Sequence, residues 1–168
     1  GAESLNEELS AYEAELKLVD SLGFYAYALD GATKGNGRGI FYGNSSAQCT
    51  RCHAVFEYGG NVGPGLEGVG GRMSPKELLT SLVYPSAALA AGHETVLVTL
   101  NDDSALSGIV LDRTAEALTI RIGKTERKTI PMTDIAEVET LPSSMPSVLG
   151  KLDRKEVRDL VAWLAALE

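Results

Sequence analysis

The sequence predicts a mainly α chain carrying a small antiparallel β insert, barrel-like and SH3-like in size, and α+β in total. Three observations predict it. Apolar residues recur at helical spacing near both ends, at Leu5, Leu9, Tyr12, Leu16 and Val19 and again at Val157, Leu160, Val161 and Leu164. Between residues 93 and 140 the apolar period falls from about 3.6 to about 2, the signature of strands. Ahead of that change stands Cys49-Thr50-Arg51-Cys52-His53, which sets two thiols and an imidazole on one short turn of chain.

Taken in order, Ser4-x-x-Glu7 reads as a capping box that opens an N-terminal helix. That helix either packs on the rest of the chain or docks a neighbouring domain or a second copy. Residues 30–37 are rich in turn formers and read as a linker. Asn44, Ser45 or Ser46 is placed to cap a short helix carrying the Cys-His pentad. The loop from Gly59 to Gly65 is Gly-rich, so its backbone can lie against a flat group. Ser74-Pro75-Lys76-Glu77 is a helix start, with Pro in the first turn and an acid beside it. Leu78, Leu79, Leu82 and Val83 form the apolar face of that helix and Pro85 stops it. Residues 86–91 read as a second short helix, ended at Gly92.

Thr95 to Leu100, Leu106 to Leu111, Ala117 to Ile122, Arg127 to Pro131 and Ile135 to Val138 read as five short strands. Asn101-Asp102-Asp103 supplies a turn between the first two. Asp153-x-x-Glu156 opens the last helix with a second capping box. Lys155 and Asp159 form an i,i+4 pair on its exposed side.

The 168 residues suffice for one domain with an insert, and 44% apolar residues suffice for a core. A net charge of −8 argues against nucleic acid and for a basic face on a partner. No apolar run approaches the roughly eighteen residues of a membrane span.

The pentad has the C-x-x-C-H form of a c-type haem attachment signal. Two thiols one helical turn apart can each form a thioether to a haem vinyl group, and the following imidazole can bind the iron. Three other readings compete. A thioredoxin-type pair needs a preceding strand in a βαβ unit, and no apolar run precedes Cys49. A zinc site would need Cys49, Cys52, His53 and His93, but adjacent Cys52 and His53 do not easily reach one tetrahedral ion. A Cys49–Cys52 disulfide leaves His53 without a role.

The order of motifs resembles class I cytochromes c from about Asn36 to Glu168. It is closer still to the haem-binding domain at the C-terminus of large secreted bacterial dehydrogenase-like proteins. Gly37 with Phe41, Val62-Gly63-Pro64-Gly65-Leu66, then Gly68, Gly70 and Arg72 match that family. So do Pro85-Ser86-Ala87, Ser143-Ser144-Met145-Pro146 and the closing helix with Val161-Ala162-Trp163-Leu164. The resemblance implies residues 1–35 as N-terminal helix and linker, residues 36–92 with 141–168 as the haem domain, and residues 93–140 as an inserted β module. It implies one covalent haem c, bound through Cys49 and Cys52, with His53 as an iron ligand. It further implies that the Pro64 carbonyl accepts the His53 Nδ1 proton, that Arg72 meets a haem propionate, and that Phe41 meets Trp163.

For the sixth ligand the candidates are Met73, Met132, Met145 and His93. Met145 stands in Ser143-Ser144-Met145-Pro146 just before the last helix, where class I cytochromes place their ligand, so His53 and Met145 are taken as the metal ligands. The function implied is transfer of single electrons between a periplasmic dehydrogenase, separate or fused, and an acceptor, with no catalysis of its own. Haem attachment of this kind takes place outside the cytoplasm in bacteria, so the resemblance also implies a periplasmic or otherwise extracytoplasmic location, with a removed signal or excision from a larger secreted chain. Two further expectations stay open: a haem enzyme or gas sensor with a labile sixth ligand, and an interaction module in which haem is structural.

Overall fold

The computed structural model describes residues 7, 8, 10–12, 15, 20–26, 33–87, 89, 90, 92–123 and 125–168. The chain divides into two compact units, one of Gly1–Ala87 with Ser147–Glu168 and one of Ala88–Pro146.

In the first unit the described elements are α1 (Ser21–Ala26), α2 (Lys34–Gly43), a 3₁₀ turn (Cys49–Arg51), β1 (Ala54–Val55), β2 (Tyr58–Gly59), α3 (Val69–Arg72), α4 (Pro75–Val83) and α5 (Arg154–Leu164). Most of the predicted N-terminal helix, including Ser4, Leu5, Leu9, Leu16 and Val19, lies outside the described residues. Glu7, Glu8, Ser10, Ala11, Tyr12 and Glu15 are helical and exposed. The predicted linker is overrun at its end, because α2 already begins at Lys34.

Helices α2 and α5 cross at a point where only glycine fits. A Cβ on Gly37 would stand 2.0 Å from the Asp159 carbonyl oxygen and 2.6 Å from the Trp163 Cβ. One turn further on, the buried Phe41 ring meets Trp163 at 5.0 Å between centroids. The same crossing buries Asp159, which corrects the expected exposed Lys155–Asp159 pair. Its carboxylate accepts from the Thr33 N–H at 2.9 Å, Asn36 Nδ2 at 3.1 Å and Arg158 Nε at 2.9 Å. The carboxylate therefore ties the start of α2 to the middle of α5.

Helices α4 and α5 both begin with complete capping boxes. The Ser74 and Asp153 side chains accept from the backbone N–H three residues on, and Glu77 and Glu156 reach back to the cap N–H. Beneath them α1 seats the buried Phe24 and Tyr25. The Tyr25 hydroxyl donates to the Leu152 carbonyl at 3.2 Å, and the Arg154 guanidinium lies 4.8 Å from the Phe24 ring centroid. The chain re-enters this unit at Ser147, whose Oγ donates to the Val83 carbonyl at 2.7 Å. The second short helix expected over residues 86–91 is absent among the described residues: Ala87 closes a turn on the Tyr84 carbonyl, and Leu89 and Ala90 are not helical.

The second unit is one antiparallel sheet of β3 (Thr95–Leu100), β4 (Ala105–Arg113), β5 (Ala117–Ile122), β6 (Glu126–Pro131) and β7 (Ile135–Thr140), in the order β6-β5-β4-β3-β7. Alternate residues Val96, Val98, Leu118, Ile120 and Ile130 form its buried core. Leu100, Leu106, Val110, Ile122, Ile135 and Val138 pack against them.

Two expectations are corrected here. The sheet is open, not a closed barrel, since β6 and β7 are its two edges and do not pair. The edges carry exposed charge, Glu126, Arg127 and Lys128 on one and Glu137 and Glu139 on the other, which opposes edge pairing. Nor is the chain mainly α. A whole unit is sheet, the helices of the other are short and joined by loops, and the fold class is α+β.

Candidate functional site

Helix α2 delivers the chain to the pentad through Asn44. Its backbone N–H donates to the Ile40 carbonyl at 3.0 Å, closing the helix. Its Oδ1 accepts from the N–H groups of Ser46 and Ala47, and its Nδ2 donates to Glu156 Oε1. Asn44 thus ends α2 and starts a turn; it does not cap the pentad as expected. Gln48, in the left-handed region at φ 50°, leads into the turn with no side-chain cap. Cys52 and His53 both donate their backbone N–H to the Cys49 carbonyl, at 3.2 and 3.0 Å, so the pentad winds once, tightly, about one carbonyl.

Cys49 and Cys52 are free thiols, and they and His53 are half-buried. Burial pushes the Cys49 thiol above its usual range, against the pull of its own backbone hydrogen bond. A reactive redox cysteine is shifted the other way.

The glycine-rich loop is laced to the pentad by two backbone bonds, Gly60 N–H to the Thr50 carbonyl and Gly63 N–H to the Cys52 carbonyl, both 2.8 Å, and just beyond them the Leu66 N–H donates to the Ala54 carbonyl at 2.9 Å. Between the last two, the Pro64 carbonyl lies 2.9 Å from His53 Nδ1. A carbonyl only accepts, so in the neutral ring this contact puts the proton on Nδ1 and leaves Nε2 with its lone pair. That is the tautomer an iron ligand needs, and the contact also makes the imidazole a stronger donor. Gly63 makes the approach possible: a Cβ there would stand 2.6 Å from the His53 ring.

Directly after His53 the chain makes a hairpin that the sequence reading missed. Strands β1 and β2 pair antiparallel, Ala54 with Gly59 and Val55 with Tyr58. The two turn residues, Phe56 and Glu57, both have positive φ, 48° and 68°. The usual signal for such a turn is Asn-Gly or Asp-Gly, which Phe-Glu does not give. The Phe56 N–H donates to Glu67 Oε1, which pins the tip. Beside the hairpin an open groove of about 320 Å³ is lined by Tyr42, Val55, Phe56, Tyr58, Trp163 and Arg38.

The structure gathers Cys49, Cys52, His53 and Pro64 into one assembly. Arg72 ends the short helix α3, is exposed, and donates Nη1 to the Glu67 carbonyl at 2.6 Å. Met73 follows it, half-buried. Met145, Met132 and His93 belong to the second unit. Met145 is half-buried on the loop after β7 and donates its N–H to Ser143 Oγ at 3.2 Å, while Met132 is exposed. Among the described residues no group of three or more His, Cys, Asp and Glu is arranged to hold a metal ion. Nor is any described helix long and apolar enough to cross a membrane. Comparison with family models and with curated proteins finds no match.

Proposed function

We propose that this chain is a class I c-type cytochrome that carries single electrons, with one haem c held covalently by Cys49 and Cys52 and its iron held by His53 and Met145. One observation carries the reading: His53, directly after a C-x-x-C turn, has Nδ1 committed to the Pro64 carbonyl and Nε2 open. The donor set fits the group. Two free thiols sit on one turn, the imidazole is held in the binding tautomer, and Gly63 lets the loop backbone pack against its ring. When bound, haem supplies a one-electron Fe(III)/Fe(II) couple.

The chain's own residues do the rest. Cys49 and Cys52 fix the group in place, and Pro64 tunes the imidazole through its proton. Met145 contributes a soft, neutral thioether that favours Fe(II) and so raises the reduction potential relative to a second imidazole. With His53 and Met145 both holding the iron, the site would favour electron transfer over catalysis. Arg72 would meet a propionate through a charge-assisted bond, exchanging its present carbonyl partner. The partner is a periplasmic dehydrogenase or a dehydrogenase domain on the same chain, and the location is extracytoplasmic.

The test is direct. Protein produced in a periplasm with a haem-attachment system is denatured, precipitated free of loosely held haem and examined by reduced-minus-oxidised spectroscopy. A haem c spectrum that stays with the protein supports the reading, and its absence ends it.

A second reading, a haem enzyme or sensor with a labile sixth ligand, draws on the long β insert that precedes the Met145 loop. Carbon monoxide added to the native reduced protein separates the two. Rapid binding favours the second, and inertness the first.

A further inference from the structure

The groove beside the β1–β2 hairpin is an aromatic surface lined by none of Cys49, Cys52, His53 and Pro64. Phe56 is 62% exposed, Tyr58 74% and Tyr42 37%, and all three line it together with Trp163. Large exposed aromatics gathered around one concavity mark an interaction site, because leaving them in water is unfavourable. The backbone adds an independent argument. A type I′ turn is most stable with Asn-Gly or another small pair at its tip. Phe56 is held at φ 48° instead, in the left-handed region that a bulky residue rarely adopts. An aromatic kept at a strained tip and then exposed contributes nothing to folding.

Charge selects the occupant. The chain carries a net charge of −8, but the acids nearest the hairpin, Glu57 at its tip and Glu67 on the Phe56 N–H, lie outside the lining of the groove. Arg38 is the one charged side chain lining the groove, and its guanidinium stands 5.5 Å from the Tyr42 ring centroid. Arg, Tyr and Trp are the residue types in which binding energy concentrates at interfaces. We propose that this groove binds an acidic segment of a partner protein, whose aromatic or aliphatic side chain lies between Phe56, Tyr58 and Trp163 and whose carboxylate pairs with Arg38. The pairing is bidentate in kind, as guanidinium and carboxylate geometry favours. The proposal involves neither the thiols nor His53, so it stands or falls apart from the haem reading.

The test uses the whole chain as purified, ¹⁵N-labelled and kept reduced. The probe is a short synthetic peptide, Phe-Leu flanked on both sides by Asp and Glu. The chain has a single tryptophan, so one indole N–H signal reports on the groove. The proposal requires a saturable shift of the Trp163 indole signal that weakens with added salt. The double variant Phe56→Asn, Glu57→Gly gives the hairpin a preferred turn and keeps its fold; it should weaken the peptide by about tenfold or more. Arg38→Glu should abolish the shift. The proposal is overturned by any of four results: no shift at Trp163, unchanged affinity in the double variant, equal binding of a peptide with Lys and Arg in place of the acids, or a Trp163 shift on simple dilution, which would assign the groove to a second copy of the chain.

Discussion

The two units are held together by different means. In the sheet unit, stability is spread over many interchangeable contacts: Val96, Val98, Leu118, Ile120 and Ile130 fill one face, with a ring of half-buried aliphatics around them. The helical unit depends on a few contacts that admit no substitute. Gly37 lets α2 and α5 touch, Asp159 joins α5 to the start of α2 by two hydrogen bonds, from Thr33 and Asn36, and Gly63 with Pro64 sets the His53 ring. Apolar packing tolerates small changes because neighbouring side chains relax. A backbone-to-backbone contact has nothing flexible to move. A unit organised around a site therefore concentrates its sensitivity, and the following experiments ask whether that contrast is real.

The largest effect belongs to the residue proposed as the sixth ligand. On the proposed function, Met145→Ala removes the soft ligand while Cys49, Cys52 and His53 remain. The reduction potential should fall steeply, and the near-red charge-transfer band of Met–Fe(III) should vanish. Met73→Ala, within the helical unit, should leave both in place. Redox titration with absorption spectra checks this, and an unchanged band in Met145→Ala would mean that another residue is the sixth ligand.

The next effect isolates the crossing. Gly37→Ala adds a single carbon, 2.0 Å from the Asp159 carbonyl oxygen, and should cost about 3 kcal/mol, at the upper end for an overpacked site. Gly39→Ala, on the same helix with nothing within 4 Å, should be neutral or stabilise by up to about 1 kcal/mol through helix propensity. Urea unfolding followed by Trp163 fluorescence measures both. Equal midpoints for the two variants would show that the crossing yields and that the contrast between the units is overstated.

These sensitive contacts are also where the sequence was hardest to read. Helices α4 and α5 were legible because each announces itself with a capping box, and the strands because the period of their apolar residues is 2. Gly37, Phe41 and Trp163 came from resemblance, not from periodicity. Asp159 was misplaced on the outside because amphipathic patterning assigns an acid to solvent. Only the chain brought opposite it, Thr33 and Asn36, supplies the donors that let it be buried. The β1–β2 hairpin escaped because Phe56-Glu57 is not a favoured turn pair. Whether a sheet closes is not encoded in strand periodicity at all; it depends on which edges pair, and here they do not.

Asp159 offers a test with a sign. Burial alone would raise its carboxyl, but the hydrogen bonds from Thr33, Arg158 and Asn36 outweigh it and hold the carboxyl below the usual carboxylate range. A depressed carboxyl stabilises the fold above its unfolded-state value, near pH 4, and that contribution is lost as pH falls through the folded value. Asp159→Asn should therefore cost about 1–3 kcal/mol at neutral pH. The gap to wild type should close in more acid solution. Glu77 and Asp102 also titrate low, held there by Ser74 and by Ser104, so the difference between variant and wild type is the quantity to follow. A gap that persists unchanged at pH 2 would mean that the variant acts by shape and not by charge.

The smallest effect comes from the sheet and is the mirror image of Gly37→Ala. Ile130→Val removes one carbon from a buried position on β6, where Gly37→Ala adds one at the helix crossing. Ile130 sits opposite Leu118 on β5 and packs with it in the core. Several half-buried aliphatics border the gap and can settle into it. The loss should be the transfer energy of one methylene plus a small cavity term, about 0.5–1.5 kcal/mol. Hydrogen exchange of the β5 and β6 amides reads the sheet unit without reference to the helical one. If Ile130→Val costs as much as Gly37→Ala, the sheet core is as finely fitted as the helix crossing. The difference between the units would then lie in chemistry alone.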